Sequence, residues 1–327
     1  TKSDFNGNIL WNKTIGEKNK ANVLQNMILT KNGSILVLIN VVFNELGPLL
    51  SYNNTWILGM NTTDGSKIYN YNLTTGGFSD SIFPSDAKVT RDSRYLYIIG
   101  TTYKDTKNEL NYLNSDTLVC KVDLLRAFQS HPEIVLWKNT WGKESRDEQA
   151  WTFDLNENEE FLYVFGYDFD NNNTNPSGSF QYDENQRALQ SGKTLFLQLN
   201  SSGTIFQAKS FDYGPNTDIF HQDITLSDDE REIVALSKYL NTSESSRQKI
   251  GFLYLDLQGK LVNKTIYDLK QDVNSIPYKL FKSPWNNSYY ILSHVKDDFS
   301  NDAHNFTEAY IMEVKKNGTI LWVNRTY

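Results

Sequence analysis

A repeat of about sixty residues constrains the fold of this 327-residue chain most strongly. Six similar short apolar runs recur along the sequence, and five of them follow a residue pair of the form X-Gly. Their bulky marker residues are Trp11, Tyr69, Trp137, Phe206, Val262 and Trp322. The markers are 58, 68, 69, 56 and 60 residues apart. A period of this length indicates a repeat architecture.

Each repeat is predicted to contain four short strands. An apolar run such as residues 195–199 precedes most of the marked runs, and strand, X-Gly turn, strand is a hairpin signal. A second hairpin lies upstream, and its second strand is an apolar run such as residues 161–165. We name the four strands a, b, c and d in chain order.

Four antiparallel strands per repeat predict an all-β fold, a β-propeller of four-stranded blades in a single domain over residues 1–327. Only 9 alanines and 13% aromatic residues agree with a β-rich chain. A β-helix has a much shorter repeat, and a β-sandwich would not repeat its d-strand aromatic so regularly. The five complete blades are predicted at residues 20–76, 80–142, 147–212, 217–270 and 273–327.

The third repeat reads FDLNENEEFLYVFGYDF at residues 153–169 and TLFLQLNSSGTIFQAKSF at residues 194–211. It resembles the bacterial-type, quinoprotein-like β-propeller repeat, in which a D-x-x-G-x-x-Y-V-x-G hairpin precedes a K-x-D-x-x-G-x-x-L-W-x-K hairpin. The resemblance covers nearly the whole chain and implies a fold without an activity. No quinone-binding constellation accompanies it, so no cofactor is expected.

The two ends of the chain do not complete one blade. Residues 1–15 match the end of strand c and all of strand d, and the C-terminal segment is also a c–d hairpin. The chain therefore has five blades and a surplus N-terminal outer strand. Three arrangements remain open: a sixth blade held by a longer polypeptide, pairing at an edge of its own ring, or exchange with a neighbouring copy. Exchange between copies would form rings or filaments.

Charge and composition exclude several classes of function. A net charge of -7 disfavours nucleic acid and anionic membrane surfaces as partners. No apolar run reaches the roughly 20 residues of a membrane span. One cysteine, Cys120, and four scattered histidines give no metal-ligand spacing. With no G-x-S-x-G or comparable motif present, we expect no catalytic residue and no enzyme.

Thirteen Asn-x-Ser/Thr sequons occur where the composition, with 36 Asn, predicts about six by chance. The asparagines are Asn12, Asn32, Asn53, Asn61, Asn72, Asn172, Asn200, Asn241, Asn263, Asn286, Asn305, Asn317 and Asn324. They fall in predicted turns, loops and outer strands, where a glycan would be exposed. The pattern predicts an N-glycosylated protein of the extracellular space or cell surface. The alternative explanation is the preference of asparagine for turns, although it accounts less well for the strand-d positions.

Other residues suggest sites, each with a plainer structural explanation. Strand a offers a polar row that could bind an ion or solvate a channel, namely Asn26, Asp86, Thr152, Asp223 and Lys279. Asp168, Asp170 and Asn172 resemble part of a calcium loop, without its Gly and Glu. His221 near Asp223 could form a base and its orienter, and Cys120 is expected in the core. The pair Lys315 and Lys316 is too short for a nucleic-acid patch.

The tryptophans near strand ends could stack on sugars. They are Trp56, Trp141, Trp151 and Trp285. The sequence thus favours a structural or interaction role, with copies of itself or other extracellular proteins as partners and filaments formed by terminal strand exchange. A carbohydrate-binding propeller is the alternative, and an enzyme with its site at the channel mouth is the third class.

Overall fold

The computed structural model describes residues 1–45, 51–74, 82–103, 115–143, 146–170, 193–213, 217–241, 243, 247–270, 273–296 and 306–326. In this part the chain forms a two-stranded hairpin and then five four-stranded antiparallel sheets. The fold is all-β and of the β-propeller class, as the repeat predicts. No helix among these residues is long and apolar enough to span a bilayer.

The strands follow the predicted repeat closely. The hairpin contains β1 (Lys2–Ser3) and β2 (Ile9–Trp11). Blade I contains β3 (Ala21–Leu29), β4 (Ile35–Glu45), β5 (Ser51–Asn61) and β6 (Lys67–Asn72). Blade II contains β7 (Ile82–Val89), β8 (Tyr95–Tyr103), β9 (Ser115–Asp123) and β10 (Val135–Trp141), with the short helix α1 (Leu124–Phe128) between the last two.

Blade III contains β11 (Arg146–Leu155), β12 (Phe161–Asp170), β13 (Lys193–Asn200) and β14 (Ile205–Phe211). Blade IV contains β15 (Thr217–Leu226), β16 (Glu232–Asn241), β17 (Lys249–Asp256) and β18 (Leu261–Tyr267). Blade V contains β19 (Asn274–Lys282), β20 (Ser288–Lys296), β21 (Phe306–Lys315) and β22 (Ile320–Thr326).

The chain divides into two compact units, Thr1–Ala150 and Trp151–Tyr327. In the first unit, blades I and II pack face to face through residues such as Ile57, Tyr69 and Ile98. In the second unit, one cluster joins blades III and IV and another joins blades IV and V. Apolar residues on both faces of strands b and c supply these cores, which explains their nearly continuous apolar sequences.

A register shift recurs between the third and fourth strand of every blade and changes which residues are equivalent. The pairs on one side of the shift are Gly59 with Tyr69, Lys121 with Trp137, Gln198 with Gln207, Tyr254 with Asn263, and Glu313 with Trp322. The sequence markers of blades III and IV, Phe206 and Val262, therefore lie one residue before the position that Trp137 and Trp322 hold in their blades. Both side chains are exposed. Such a shift is a β-bulge, and its extra residue reverses the face of the sheet to which the following side chains point.

The N-terminal residues form a strand pair, as their match to the end of strand c and to strand d predicts. β1 pairs with β2, with Lys2 opposite Trp11 and Ser3 opposite Ile9. The hairpin docks on blade I, where Lys2 Nζ and Trp11 Nε1 both donate to the Thr62 carbonyl, at 2.8 and 3.0 Å. Exchange of the N-terminal strand between copies stays a prediction from the sequence.

Candidate functional site

The polar row predicted on strand a exists and is positioned by a bulge. In four blades the register shifts just before a row residue, between Leu24 and Asn26, Pro84 and Asp86, His221 and Asp223, and Pro277 and Lys279. In the first unit, Asn26 Nδ2 donates to Asp86 Oδ1 at 3.5 Å. In blades I and IV the bulge thus turns a polar side chain, Asn26 or Asp223, toward the next blade.

Asp223 is the best-connected member of the row in the second unit. Its buried carboxylate accepts from Thr152 Oγ1 at 3.3 Å and from the Leu280 N–H at 2.9 Å. It also accepts from the Ile224 N–H at 3.1 Å and lies 3.2 Å from Lys279 Nζ. One carboxylate therefore joins blades III, IV and V. Its lone pairs are occupied by protein donors, so the arrangement ties blades together.

His221 is placed as a structural residue rather than as a base with Asp223. Its ring is buried, with Nδ1 2.8 Å from Ser237 Oγ and Nε2 3.3 Å from Tyr213 Oη. The Phe165 ring meets it edge-on at 4.8 Å. Burial lowers the pKa of His221 to about 3, so the ring stays neutral at physiological pH. A neutral ring between two hydroxyl groups packs the interface of blades III and IV.

The remaining metal and thiol candidates lie in structural surroundings. Asp168 is buried and contacts Ser210 Oγ, whereas the Asp170 side chain and Asn172 lie outside the described residues. Cys120 is buried among apolar residues, which raises the pKa of its thiol to about 12. Within the described ranges, no group of three or more His, Cys, Asp or Glu is placed to hold a metal ion. Lys316 forms ion pairs with Asp229 and Glu232 instead of a basic patch.

The four tryptophans proposed for sugar stacking lie in different surroundings. Trp141 is 5.6 Å from Lys143 Nζ, and Trp151 packs on Tyr167 at 5.7 Å. Trp285 is 83% exposed. Trp56 lines a cavity of about 540 Å³ between residues 13–17 and strands β4 to β6, beside Asn40 and Asn70. Sugar binding stays a prediction from the sequence.

Several sequons form a local hydrogen-bonded turn. In each, the asparagine Oδ1 accepts from the hydroxyl group of the Ser or Thr two residues later, at 2.7 to 2.8 Å. The pairs are Asn32 with Ser34, Asn72 with Thr74, Asn200 with Ser202, and Asn241 with Ser243. Because such turns favour Asn-x-Ser/Thr for structural reasons, they account for part of the sequon excess.

The outer-strand sequons need a different explanation. Asn263 and Asn324 are exposed on β18 and β22, within strands and not in such turns. The register pairs Asn263 with Tyr254 and Asn324 with Ile311, so the two asparagines stand two residues apart along the outer strand. Asn12 follows β2 and Asn317 lies in a turn, and both are exposed. The prediction is wrong for Asn53 and Asn61, which lie within the third strand β5 instead of in a loop and a turn, because β5 is longer than its apolar run. Asn172 and Asn305 lie outside the described residues.

Blade V has an apolar face that is open where the same face of blade IV is covered. Val234, Leu236 and Phe252 of blade IV are buried against blade V. Leu292 and Ile311 stand at the positions of Leu236 and Phe252 by register, and are 37% and 38% exposed. Trp322 and Phe281 add to this open face, which sequence reasoning missed because neighbours, not composition, determine burial.

A carboxylate lies within the open face of blade V. Glu313 accepts from Ser288 Oγ at 2.6 Å, from Asn286 Nδ2 at 3.1 Å and from Trp322 Nε1 at 2.5 Å. These hydrogen bonds, led by that of Ser288, hold the pKa of Glu313 below its ordinary value. The charge is therefore satisfied within the blade, and the apolar surroundings remain available for contact.

No protein-family model matches the chain, and no curated protein matches it significantly. Solved structures similar to it include hydrazine synthase of Kuenenia stuttgartiensis, at 12% identity and a TM-score of 0.51, covering 96% of this chain and 69% of that one. The α-L-arabinanase of Penicillium chrysogenum complexed with arabinobiose matches at 9% identity and a TM-score of 0.50, covering 92% and 91%. The Synechocystis apocarotenoid oxygenase matches at 11% identity and a TM-score of 0.49, covering 91% and 60%. The resemblance to propeller repeat proteins is thus confirmed for the fold alone.

These similarities correct the expectation that the chain is not an enzyme. Two of the similar structures are named as a synthase and an arabinanase. A propeller without a recognisable catalytic motif therefore gives no ground for excluding catalysis, because fold and activity vary independently.

Proposed function

We propose that this chain is an N-glycosylated β-propeller of the extracellular space or cell surface, and that it binds other polypeptides through an open blade face. The open apolar face of blade V carries the proposal. The equivalent residues of blade IV are buried against blade V, so the same apolar residues of blade V are suited to contact with another surface. Exposed apolar patches of this kind mark interaction sites. Exposed outer-strand sequons support the proposed location.

The proposed partner at the blade V face is a second copy of the chain. The face is apolar around a self-satisfied carboxylate, so it can pack against itself while the carboxylate oxygens keep their hydrogen bonds. Contact through the same face on both copies closes at a dimer, whereas contact between two different faces continues into a filament. The particle size therefore distinguishes these two modes, and the filament stays a prediction.

Leu292→Glu is expected to abolish self-association, because it places a charge in the middle of the apolar contact. Sedimentation velocity from about 1 to 100 μM, after enzymatic removal of glycans, should show dimers or larger particles for the unchanged chain and monomers for the variant. Val262→Glu, on the exposed outer strand of blade IV, is the matched control and should still associate. A monomer at every concentration for the unchanged chain would overturn the interaction proposal.

Glycosylation is expected to raise the mass of the secreted chain well above its bare 37.7 kDa. Intact mass before and after glycan removal measures the number of occupied sites, and Thr326→Ala should remove the one at Asn324. This site is the most informative, since Asn324 lies exposed in a strand, away from the turns that favour the motif structurally. A secreted chain of the bare mass would contradict the glycosylation and remove the sequons as support for the extracellular proposal.

A further inference from the structure

The N-terminal hairpin has the pairing of a c–d hairpin. Opposite Ser3 stands Ile9 and opposite Lys2 stands Trp11, with one residue of β2 skipped. Blade IV has the same offset, with Leu255 opposite Leu261 and Tyr254 opposite Asn263. β1 therefore corresponds to the end of a third strand, and β2 to a fourth strand.

The hairpin also contacts blade I as an outer strand contacts the following blade. In blade V, a Cβ at Gly318 would lie 2.2 Å from Thr265 Oγ1 of blade IV, and Tyr267 Oη donates to the Gly318 carbonyl at 2.6 Å. In blade I, a Cβ at Gly65 would lie 2.8 Å from Trp11 Cδ2. The indole of Trp11 donates to the Thr62 carbonyl of the same turn.

The hairpin packs on one face of blade I and covers the part of that face formed by the second and third strands. Leu38, Leu58 and Met60 are buried with Trp11 and Ile15 packed on them. By register they correspond to Ile291, Met312 and Val314, the blade V residues that pack on blade IV. The hairpin thus replaces the outer part of a preceding blade.

The inner half of the same face is open. Met27 stands opposite Leu38, as Leu280 stands opposite Ile291 and Ile224 opposite Ala235. Leu280 is 5% exposed and Ile224 is buried, but Met27 is 63% exposed. Leu24 and Leu29 on the same strand are also exposed, and the cavity beside Trp56 adjoins this face.

We propose that this face of blade I binds a two-stranded antiparallel β-hairpin with one apolar face, supplied by polypeptide outside residues 1–327. The hairpin would supply the first and second strands of a blade whose third strand continues as β1 and whose fourth strand is β2. Its edge strand would pair with the free edge of β1, and its apolar side chains would cover Met27. The inference deepens the proposed interaction function and rests on it, and it uses a different face from that of blade V.

The test supplies such a hairpin from the chain itself. A copy of residues 217–252 is joined directly ahead of Thr1, because the register places Thr1 at the position of Leu253. Met27→Cys reports whether the face is covered, through its rate of reaction with a thiol reagent. The buried, high-pKa Cys120 does not compete. We expect the graft to slow labelling of this cysteine at least about tenfold.

A matched control carries the same graft with its copies of Val234 and Phe252 changed to Asp, since these residues face the following blade in blade IV. It should leave labelling fast. Labelling of the Leu280→Cys variant, in the unit Trp151–Tyr327, must stay slow in both chimeras. Slow labelling at this buried position shows that the chain is folded. If labelling of the Leu280→Cys variant becomes fast, the grafts are joined to Thr1 through a Gly/Ser linker of about 20 residues instead. Equal labelling with the apolar graft, the charged graft and no graft would overturn this inference, while sedimentation of the Leu292→Glu variant tests the blade V face independently.

Discussion

Replacing Phe252 with alanine is expected to lower the free energy of unfolding of the C-terminal unit by about 3–5 kcal/mol. Phe252 is fully buried between blades IV and V. Its ring lies 5.4 Å from that of Tyr254 and 5.5 Å from that of Tyr289, both edge-on. Removing it leaves a cavity lined by two aromatic rings that cannot collapse without moving a whole blade.

Phe206→Ala provides the control for this prediction. Phe206 is an aromatic residue in the same unit, but it is exposed on the outer strand β14. Its loss should cost less than about 1 kcal/mol, because little apolar surface returns to water. Urea unfolding followed by far-ultraviolet circular dichroism measures both variants. Similar costs for the two would refute the view that blade-on-blade packing stabilises the unit.

The strand pattern was predictable because period and alternation are properties of the sequence itself. X-Gly turns placed the c–d hairpins, and the apolar runs placed strands b and c. The bulges were not predictable in the same way. They made Phe206 and Val262 look like equivalents of Trp137, whereas Gln207 and Asn263 hold that position. A bulge inserts one residue without a strong compositional signal, so the facing of side chains after it cannot be counted from the sequence.

The candidate sites also differ in how far the local sequence could predict them. The row from Asn26 to Lys279 was predictable, because one polar residue recurs at one place in each first strand. The partners of Asp223 were not, since they come from neighbouring blades. The open faces around Met27 and Leu292 were equally hidden, because their sequences resemble those of covered faces. Whether such a face is buried depends on what packs against it, which lies outside the local sequence.

Replacing Asp223 with alanine is expected to destabilise the C-terminal unit by about 2–4 kcal/mol. The buried carboxylate accepts the backbone N–H groups of Ile224 and Leu280 and the hydroxyl group of Thr152. Without it the two backbone N–H groups lose this acceptor while remaining buried, and each lost bond of this kind costs about 1–3 kcal/mol. Urea unfolding measures the loss. Asp229→Ala is the control: its carboxylate accepts from Ser227 Oγ at 2.7 Å and pairs with Lys316, but in an exposed turn, so its loss should cost much less than that of Asp223.

Two further variants separate the hydrogen bonds of Asp223 from its charge. Asp223→Asn retains an acceptor oxygen and should recover about half of the lost stability. Lys279→Met removes the ion pair but leaves the N–H donors satisfied. Because the Lys279 side chain is 44% exposed, solvent screens the pair, and its loss should cost less than about 1 kcal/mol. A Lys279→Met variant as unstable as Asp223→Ala would show that the ion pair, and not the bonded backbone, holds blades IV and V together.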